Sequence, residues 1–299
     1  MKILLIGKNG QVGFELQRAL APLGEVAAVD YPDCDLTSAA SIREAVAVAA
    51  PEVIVNAAAY TAVDRAESES KSAFAINAVA PSVLGEEARR IGARIVHYST
   101  DYVYDGTKAG HYVESDATNP LCVYGASKRD GDAALAASGA EHFVFRTSWV
   151  FGAHGANFVK TMLRLAEERD RLNVVADQIG APTSAALIAD ITAQALAQTR
   201  YRPASAVTSG IYHLAAGGET SWHGFAQAVI QGALARGVKL KMAPEAVRAI
   251  TSAEYPLPAK RPANSRLDTT RLCNTFGFAM PPWQAGLDHV LSQLIGDPT

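Results

Sequence analysis

The sequence predicts an α/β protein: a doubly wound parallel sheet, with a smaller lobe supplied mainly by its second half. Three observations carry that expectation. Short, largely apolar runs recur at residues 3–6, 26–29, 53–55, 95–98 and 143–145, the pattern of parallel strands covered on both faces. Segments of helical periodicity separate them. The first run stops at a glycine-rich turn, Gly7-Lys8-Asn9-Gly10-Gln11-Val12-Gly13, and a helical segment follows it.

Taken in order, residues 3–6 form the first strand, and Val12, Leu16, Ala19, Leu20 and Leu23 then share one side of a helix over 12–23. Residues 26–29 are the second strand. The next helix, 41–50, opens from a Ser/Thr cluster able to cap it. Strands at 53–55, 95–98 and 143–145 follow, with helices at about 73–91 and 126–138 between them. Beyond Trp149 the rhythm loosens into a helix (158–168), a strand (172–175) and another helix (185–198). Residues 211–214 read as a late strand of the same sheet. A helix at 225–235, a proline-rich stretch over 255–262 and a last helix at 285–295 complete the chain. This sets a first domain over 1–150, with segments around 171–215 returning to it, and a second lobe drawn mainly from 151–299.

Composition excludes several classes. With 27 Lys and Arg against 30 Asp and Glu, the net charge is −3, so neither nucleic acid nor an anionic membrane finds a basic excess. No stretch approaches the roughly 20 apolar residues of a membrane span, and the apolar start is too short for a signal peptide. Three scattered cysteines, Cys34, Cys122 and Cys273, suit a reducing compartment. The seven histidines are dispersed, giving zinc no ligand cluster. The expected location is the cytoplasm.

Gly7, Gly10 and Gly13 stand at a strand end and a helix start, the Rossmann-type arrangement in which backbone N–H groups of residues such as Gln11 and Val12 approach a pyrophosphate. Asp30 ends the second strand 23 positions after Gly7, near the roughly 20-residue offset of a ribose-binding acid. An acid there favours NADH, and no arginine immediately follows it to hold a 2′-phosphate. Since the side chain can also turn away, NADH and NADPH both stay open. Asp35 and Leu36 follow at a place to flank the adenine. The first domain is thus expected to bind a dinucleotide.

Tyr124 and Lys128 are four apart, so on a helix the phenol and the ammonium share a face. The cation is expected to lower the tyrosine pKa and make proton exchange feasible near neutrality. The pair follows a strand ending Ser99-Thr100-Asp101, at the sheet edge where ligands bind. Thr100 can supply a hydroxyl to the reacting oxygen. Ser99 is its rival, because neighbouring strand residues face opposite ways.

These residues resemble the extended short-chain dehydrogenase/reductases, and within them the family of dTDP-4-dehydrorhamnose reductases. The segments that carry the resemblance are the glycine turn, Asn56-Ala57-Ala58-Ala59-Tyr60-Thr61-Ala62-Val63-Asp64, Ser99-Thr100-Asp101-Tyr102-Val103-Tyr104 and Tyr124-Gly125-Ala126-Ser127-Lys128. Further segments are Arg146-Thr147-Ser148-Trp149-Val150, Gly180-Ala181-Pro182-Thr183 and Arg261-Pro262-Ala263-Asn264-Ser265-Arg266-Leu267. They span nearly the whole chain. The resemblance implies NAD(P)H-dependent reduction of the C4 ketone of dTDP-4-dehydro-L-rhamnose. It assigns Thr100, Tyr124 and Lys128 to catalysis, and Gly10, Gln11 and Val12 to the pyrophosphate. Asp30, Asp35 and Leu36 go to the adenosine, and Ala59, Tyr60 and Thr61 to a segment along the cofactor. Thr100, Asp101 and Trp149 go to the sugar, and Lys260, Arg261 and Arg266 are candidates for the diphosphate.

Similar proteins can place magnesium at a dimer interface, using a glutamate matching Glu15 and a second one after the Ala-Pro-Thr segment. Here that second position is Ala186, which removes a hard oxygen ligand and weakens such a site, so magnesium and a homodimer stay open and neither is assigned. Two other functions fit the same pattern: a different nucleotide-sugar reductase or epimerase, and a non-catalytic dinucleotide-binding regulatory subunit. For the thymine base only segments 157–159 and 264–265 suggest themselves.

Overall fold

The computed structural model describes residues 1–201 and 209–297; residues 202–208 and 298–299 of the two expected lobes lie outside it. In chain order the first half runs β1 (Lys2–Ile6), α1 (Gln11–Leu20), β2 (Glu25–Val29), α2 (Ala39–Ala49), β3 (Val53–Asn56), α3 (Val63–Ala66), α4 (Ser70–Phe74), α5 (Ala80–Ile91), β4 (Arg94–Thr100), α6 (Val123–Ala137) and β5 (His142–Thr147). The second half runs β6 (Val150–Phe151), α7 (Phe158–Glu168), β7 (Leu172–Val175), β8 (Ile179–Gly180), β9 (Thr183–Ser184), α8 (Ala185–Tyr201), β10 (Gly210–His213), β11 (Thr220–Ser221), α9 (Trp222–Ala235), β12 (Val247–Ile250), β13 (Asn264–Ser265), α10 (Thr270–Phe276) and α11 (Trp283–Ile295).

The central sheet has the order β2-β1-β3-β4-β5-β10 and is parallel throughout. Each buried strand divides its side chains between two cores. Ile3, Leu5, Val53, Val55, Val96 and Phe145 pack with α1, α8 and α10, while Leu4, Ile6, Ile54, Ile95 and Val144 pack with α2, α5 and α6. This is why the strands read as unbroken apolar runs: both parities are needed, one for each helical layer. The chain leaves β1 toward β2 on one side and returns to β3 on the other, so the strand order reverses between β1 and β3. Ligands bind at such a reversal, above the carboxyl ends of the strands.

Two expectations are corrected. The helix expected over 73–91 is broken by a π turn, Ala75–Val79, between α4 and α5. Strand 172–175 exists, but it pairs with β12 and not with the main sheet. The second lobe has its own core, where Phe151, Val159, Met162, Phe225, Ile230, Trp283 and Leu291 join α7, α9 and α11. No described helix is long and apolar enough to cross a membrane.

Candidate active site

The glycine turn follows β1 at the point where the strand order reverses. Gly7 and Lys8 donate their N–H groups to Val29 O at 2.9 and 3.3 Å, anchoring the turn on β2. Gly10 is the N-cap of α1, in extended conformation and with no side-chain cap, so the N–H groups of Gln11 and Val12 open the helix uncapped. That suits a pyrophosphate, which takes such N–H groups at the positive helix end. Gly13 makes the tight packing possible: a Cβ there would stand 1.8 Å from the Gly7 carbonyl oxygen. Gly13→Ala is therefore expected to weaken NADPH binding by at least about tenfold, read by coenzyme fluorescence titration. Unchanged affinity would show that the turn does not hold the coenzyme.

The adenosine candidates are distributed unevenly. Asp30 uses both carboxylate oxygens on the turn itself, accepting from Asn9 N at 3.0 Å and Tyr31 N at 2.9 Å. Asp35 accepts from the Thr37 N–H and hydroxyl, which lower its pKa. Leu36 is buried in the α2–α5 core. Ala59, Tyr60 and Thr61 continue from β3 along the sheet edge, and the Tyr60 phenol donates to Glu69 at 2.6 Å. Residues 152–157 reach across from the second lobe. His154 Nε2 meets Asn9 O at 2.9 Å and its ring stacks on Phe14, while Asn157 Nδ2 donates to Gln11 Oε1 at 3.0 Å.

At the other strand ends, α6 brings the catalytic candidates together. Cys122 caps it, Sγ accepting from Gly125 N, and Glu67 accepts from Val123 N at 2.8 Å. Gly125 lets the helix start lie against the turn after β4: a Cβ there would meet Tyr102 O at 2.2 Å. This places the Tyr124 ring edge-on to Tyr102, with centroids 5.6 Å apart, and within hydrogen-bonding reach of Thr100. Of the two rival hydroxyls, Thr100 donates to Asp101 Oδ1 at 3.0 Å and lowers the Tyr124 pKa, while Ser99 acts on Asp132. Lys128 is buried, its Nζ 2.9 Å from His97 Nε2.

The electrostatics correct one expectation. Burial pushes the Tyr124 phenol above its ordinary pKa; Thr100 opposes the rise, and nearby Asp101, Cys122 and Asp132 add to it. The i,i+4 spacing puts the lysine nearby, yet its amine points to His97. Burial also brings Lys128 down to about 8, against the pull of Asp132. Asp101 is pushed up to about 6 by burial, although the Ser265 and Thr100 hydroxyls favour its anion.

Asp101 therefore binds its proton more tightly in the folded chain than in the unfolded one. The stability this gives is complete below about pH 4 and is lost as pH rises to about 6. A two-unit difference corresponds to about 3 kcal/mol. Asp101→Asn, which stays neutral, is expected to melt higher than the parent at pH 8 and to lose that advantage at pH 4. Equal melting differences at both pH values would contradict this.

Beside these residues opens a cleft of about 660 Å³ lined by Tyr102, Phe158, Gln178, Trp222, Tyr255 and Arg261, among others. Trp149 lies behind its wall. The indole stacks on Trp222 at 3.8 Å, so it is Trp222 that faces the cleft. Trp149 also adopts a left-handed backbone, φ 49°, a costly conformation for a bulky residue. Of the three diphosphate candidates, Lys260 and Arg261 line the cleft, with Arg261 held by Asp64 at 2.8 Å. Arg266 is bound instead to Asn264, Ala109 O and Glu219. Glu15 and Ala186 line a second cavity, where Arg18 takes Glu15 and Asp190. Among the described residues no group of three or more His, Cys, Asp or Glu is placed to hold a metal ion.

Sequence reasoning missed two features. Asn77, on the π turn, accepts from Tyr60 N at 2.8 Å and donates to Tyr60 O and Ser127 Oγ at 3.0 Å each. It ties the segment after β3 to α6, and π turns are frequent at functional sites. Asp132, one turn beyond Lys128, pairs with Arg146 at 3.0 Å, both buried. Its spacing, four after Lys128 and eight after Tyr124, was the available signal.

An open parallel sheet with an uncapped glycine turn at its reversal point, and a Tyr–Lys helix after the fourth strand, defines the extended short-chain dehydrogenase/reductase class. Comparison with known proteins narrows this. Residues 1–295 match the family described as the RmlD substrate binding domain, and the chain belongs to that family, the dTDP-4-dehydrorhamnose reductases. It is 50% identical over 296 residues to the dTDP-4-dehydrorhamnose reductase of Burkholderia thailandensis, covering 99% of each chain. Among solved structures, the dTDP-4-dehydrorhamnose reductase of Clostridium acetobutylicum superposes with a TM-score of 0.88 at 34% identity, covering 98% of this chain and 99% of that one. That of Bacillus anthracis, solved in complex with NADP, gives 0.88 at 33% identity, covering 98% and 100%.

Proposed function

We propose that this chain reduces the C4 ketone of dTDP-4-dehydro-β-L-rhamnose with NADPH or NADH, giving dTDP-β-L-rhamnose, the last step of dTDP-rhamnose synthesis. The reading is supported by Tyr124 standing close to Thr100 at the end of β4, with Lys128 buried one helical turn on, in a chain 50% identical to a reductase of that name. Bound coenzyme supplies the hydride. The uncapped start of α1 holds its pyrophosphate, and Lys128 its ribose. Tyr124 gives its phenolic proton to the carbonyl oxygen, which Thr100 orients. A protonated Lys128 stabilises the phenolate left behind. Arg261 and Lys260 meet the substrate diphosphate with positive charge, and Asp101 takes a sugar hydroxyl. The three cysteines are free thiols, in keeping with the reducing cytoplasm.

Oxidation of NADH and NADPH, followed with the dTDP-, UDP- and GDP-linked 4-keto sugars, tests this through kcat/KM for six pairs. The dTDP sugar is expected to be turned over fastest. Retained coenzyme with no net consumption would indicate an epimerase, and coenzyme binding without turnover a regulatory subunit.

A further inference from the structure

Lys128 Nζ stands 2.9 Å from His97 Nε2, with both side chains buried. The other ring nitrogen, His97 Nδ1, lies 3.2 Å from Asn56 Nδ2. An amide nitrogen only donates, so the orientation of Asn56 selects the histidine tautomer. The backbone pins that orientation: Ala58 N–H donates to Asn56 Oδ1 at 3.3 Å, and a flipped amide would set donor against donor. Nδ1 is therefore the acceptor, the ring proton sits on Nε2, and Nε2–H points at Nζ. A lysine amine can accept that proton. An ammonium, which has no lone pair, cannot.

We propose that His97 is a positioning residue of the active site: fixed as its Nε2–H tautomer by Asn56, it docks Lys128 Nζ on β4 as the free amine, so that Lys128 becomes an ammonium only by leaving the ring. The proposal rests on the reductase reading, and it assigns the state from which Lys128 enters proton transfer. The groups around Nζ oppose one another. Asp132 of α6, itself paired with Arg146 of β5, favours the ammonium, while burial and the imidazole favour the amine. His97 is kept neutral, well below the usual histidine range, by its burial. Tyr124 of α6 and Asp101 after β4 are the other titratable groups of the site, and Asn56 of β3 and Asn77 of the π turn are uncharged.

Two measurements test it. Side-chain nitrogen NMR on histidine-labelled full chain, with His97 assigned by the signal lost in His97→Gln, reads the tautomer without any substrate. A neutral Nε2–H ring between about pH 5 and 8 is expected; an Nδ1–H ring, or one that titrates in that window, overturns the proposal. The second is the pH profile of kcat/KM. Asn56→Asp supplies a carboxylate that still accepts from Ala58 N–H but now takes a proton from Nδ1, which turns Nε2 into an acceptor for the ammonium. His97→Gln can present an amide oxygen to the same ammonium. Both are expected to move the alkaline limb upward by about one pH unit, with NADPH affinity retained in a direct titration. A uniform fall in kcat/KM at every pH, with the limb unmoved, is what a merely structural role predicts, and it overturns the proposal. If the parent protein turns over no 4-keto sugar, the reductase reading fails while the tautomer measurement still decides this one.

Discussion

Tyr124→Phe is expected to lower kcat by about 10²- to 10⁴-fold, the range that a positioned proton donor contributes, while coenzyme affinity and melting temperature stay near those of the parent. On the proposed reading the phenol gives its proton to a carbonyl oxygen at the end of β4, with Thr100 close by. The ring itself packs edge-on against Tyr102, and phenylalanine preserves that contact. Because burial holds the phenol above its ordinary pKa, the donor stays protonated until the alkoxide forms. Steady-state kinetics with an NADPH titration separates chemistry from binding. A phenylalanine variant with near-parental kcat would remove Tyr124 from the mechanism.

The second large effect is on stability. Arg146 and Asp132 form an ion pair that is covered on both sides, with side-chain exposures of 4% and 3%. Removing one partner leaves an uncompensated buried charge, which typically costs about 3–5 kcal/mol. Asp132→Leu should therefore lower the melting temperature by roughly 6–15 °C. It also removes the charge that favours the Lys128 ammonium, so the loss of activity should be steeper at pH 8 than at pH 6. Adding Arg146→Met should recover part of the stability, because an apolar pair often replaces a buried ion pair with little loss. It should not recover the activity. A single variant that melts with the parent would overturn this, and would mean that the bond Arg146 already donates to the Tyr104 hydroxyl at 2.8 Å holds it well enough.

How much was legible in the sequence follows from what each feature depends on. The strands of the central sheet were readable because burial on both faces leaves an unbroken apolar run, as at residues 3–6 and 143–145. The Tyr124–Lys128 pair was readable because four residues make one helical turn. The π turn around Asn77 was not, since one extra residue in a turn leaves the apolar periodicity almost unchanged. Nor could spacing reveal that Lys128 points to His97, 31 positions earlier, since that contact is made by the sheet. The choice between Trp149 and Trp222 for the cleft wall, or between Arg261 and Arg266 for its charge, is made where β11 and β13 pair with β8. None of these positions carries a local signal of that pairing.

Asn157 also shapes how the protein meets its two ligands. Its amide touches Gln11 on the coenzyme turn, and its carbonyl oxygen Oδ1 caps α7 by accepting from Lys160 N, the helix whose Phe158 and Met162 wall the cleft. One side chain thus links the glycine turn to the helix that walls the cleft. Whatever factor a nucleotide sugar adds to coenzyme affinity, coenzyme returns to the nucleotide sugar in equal measure.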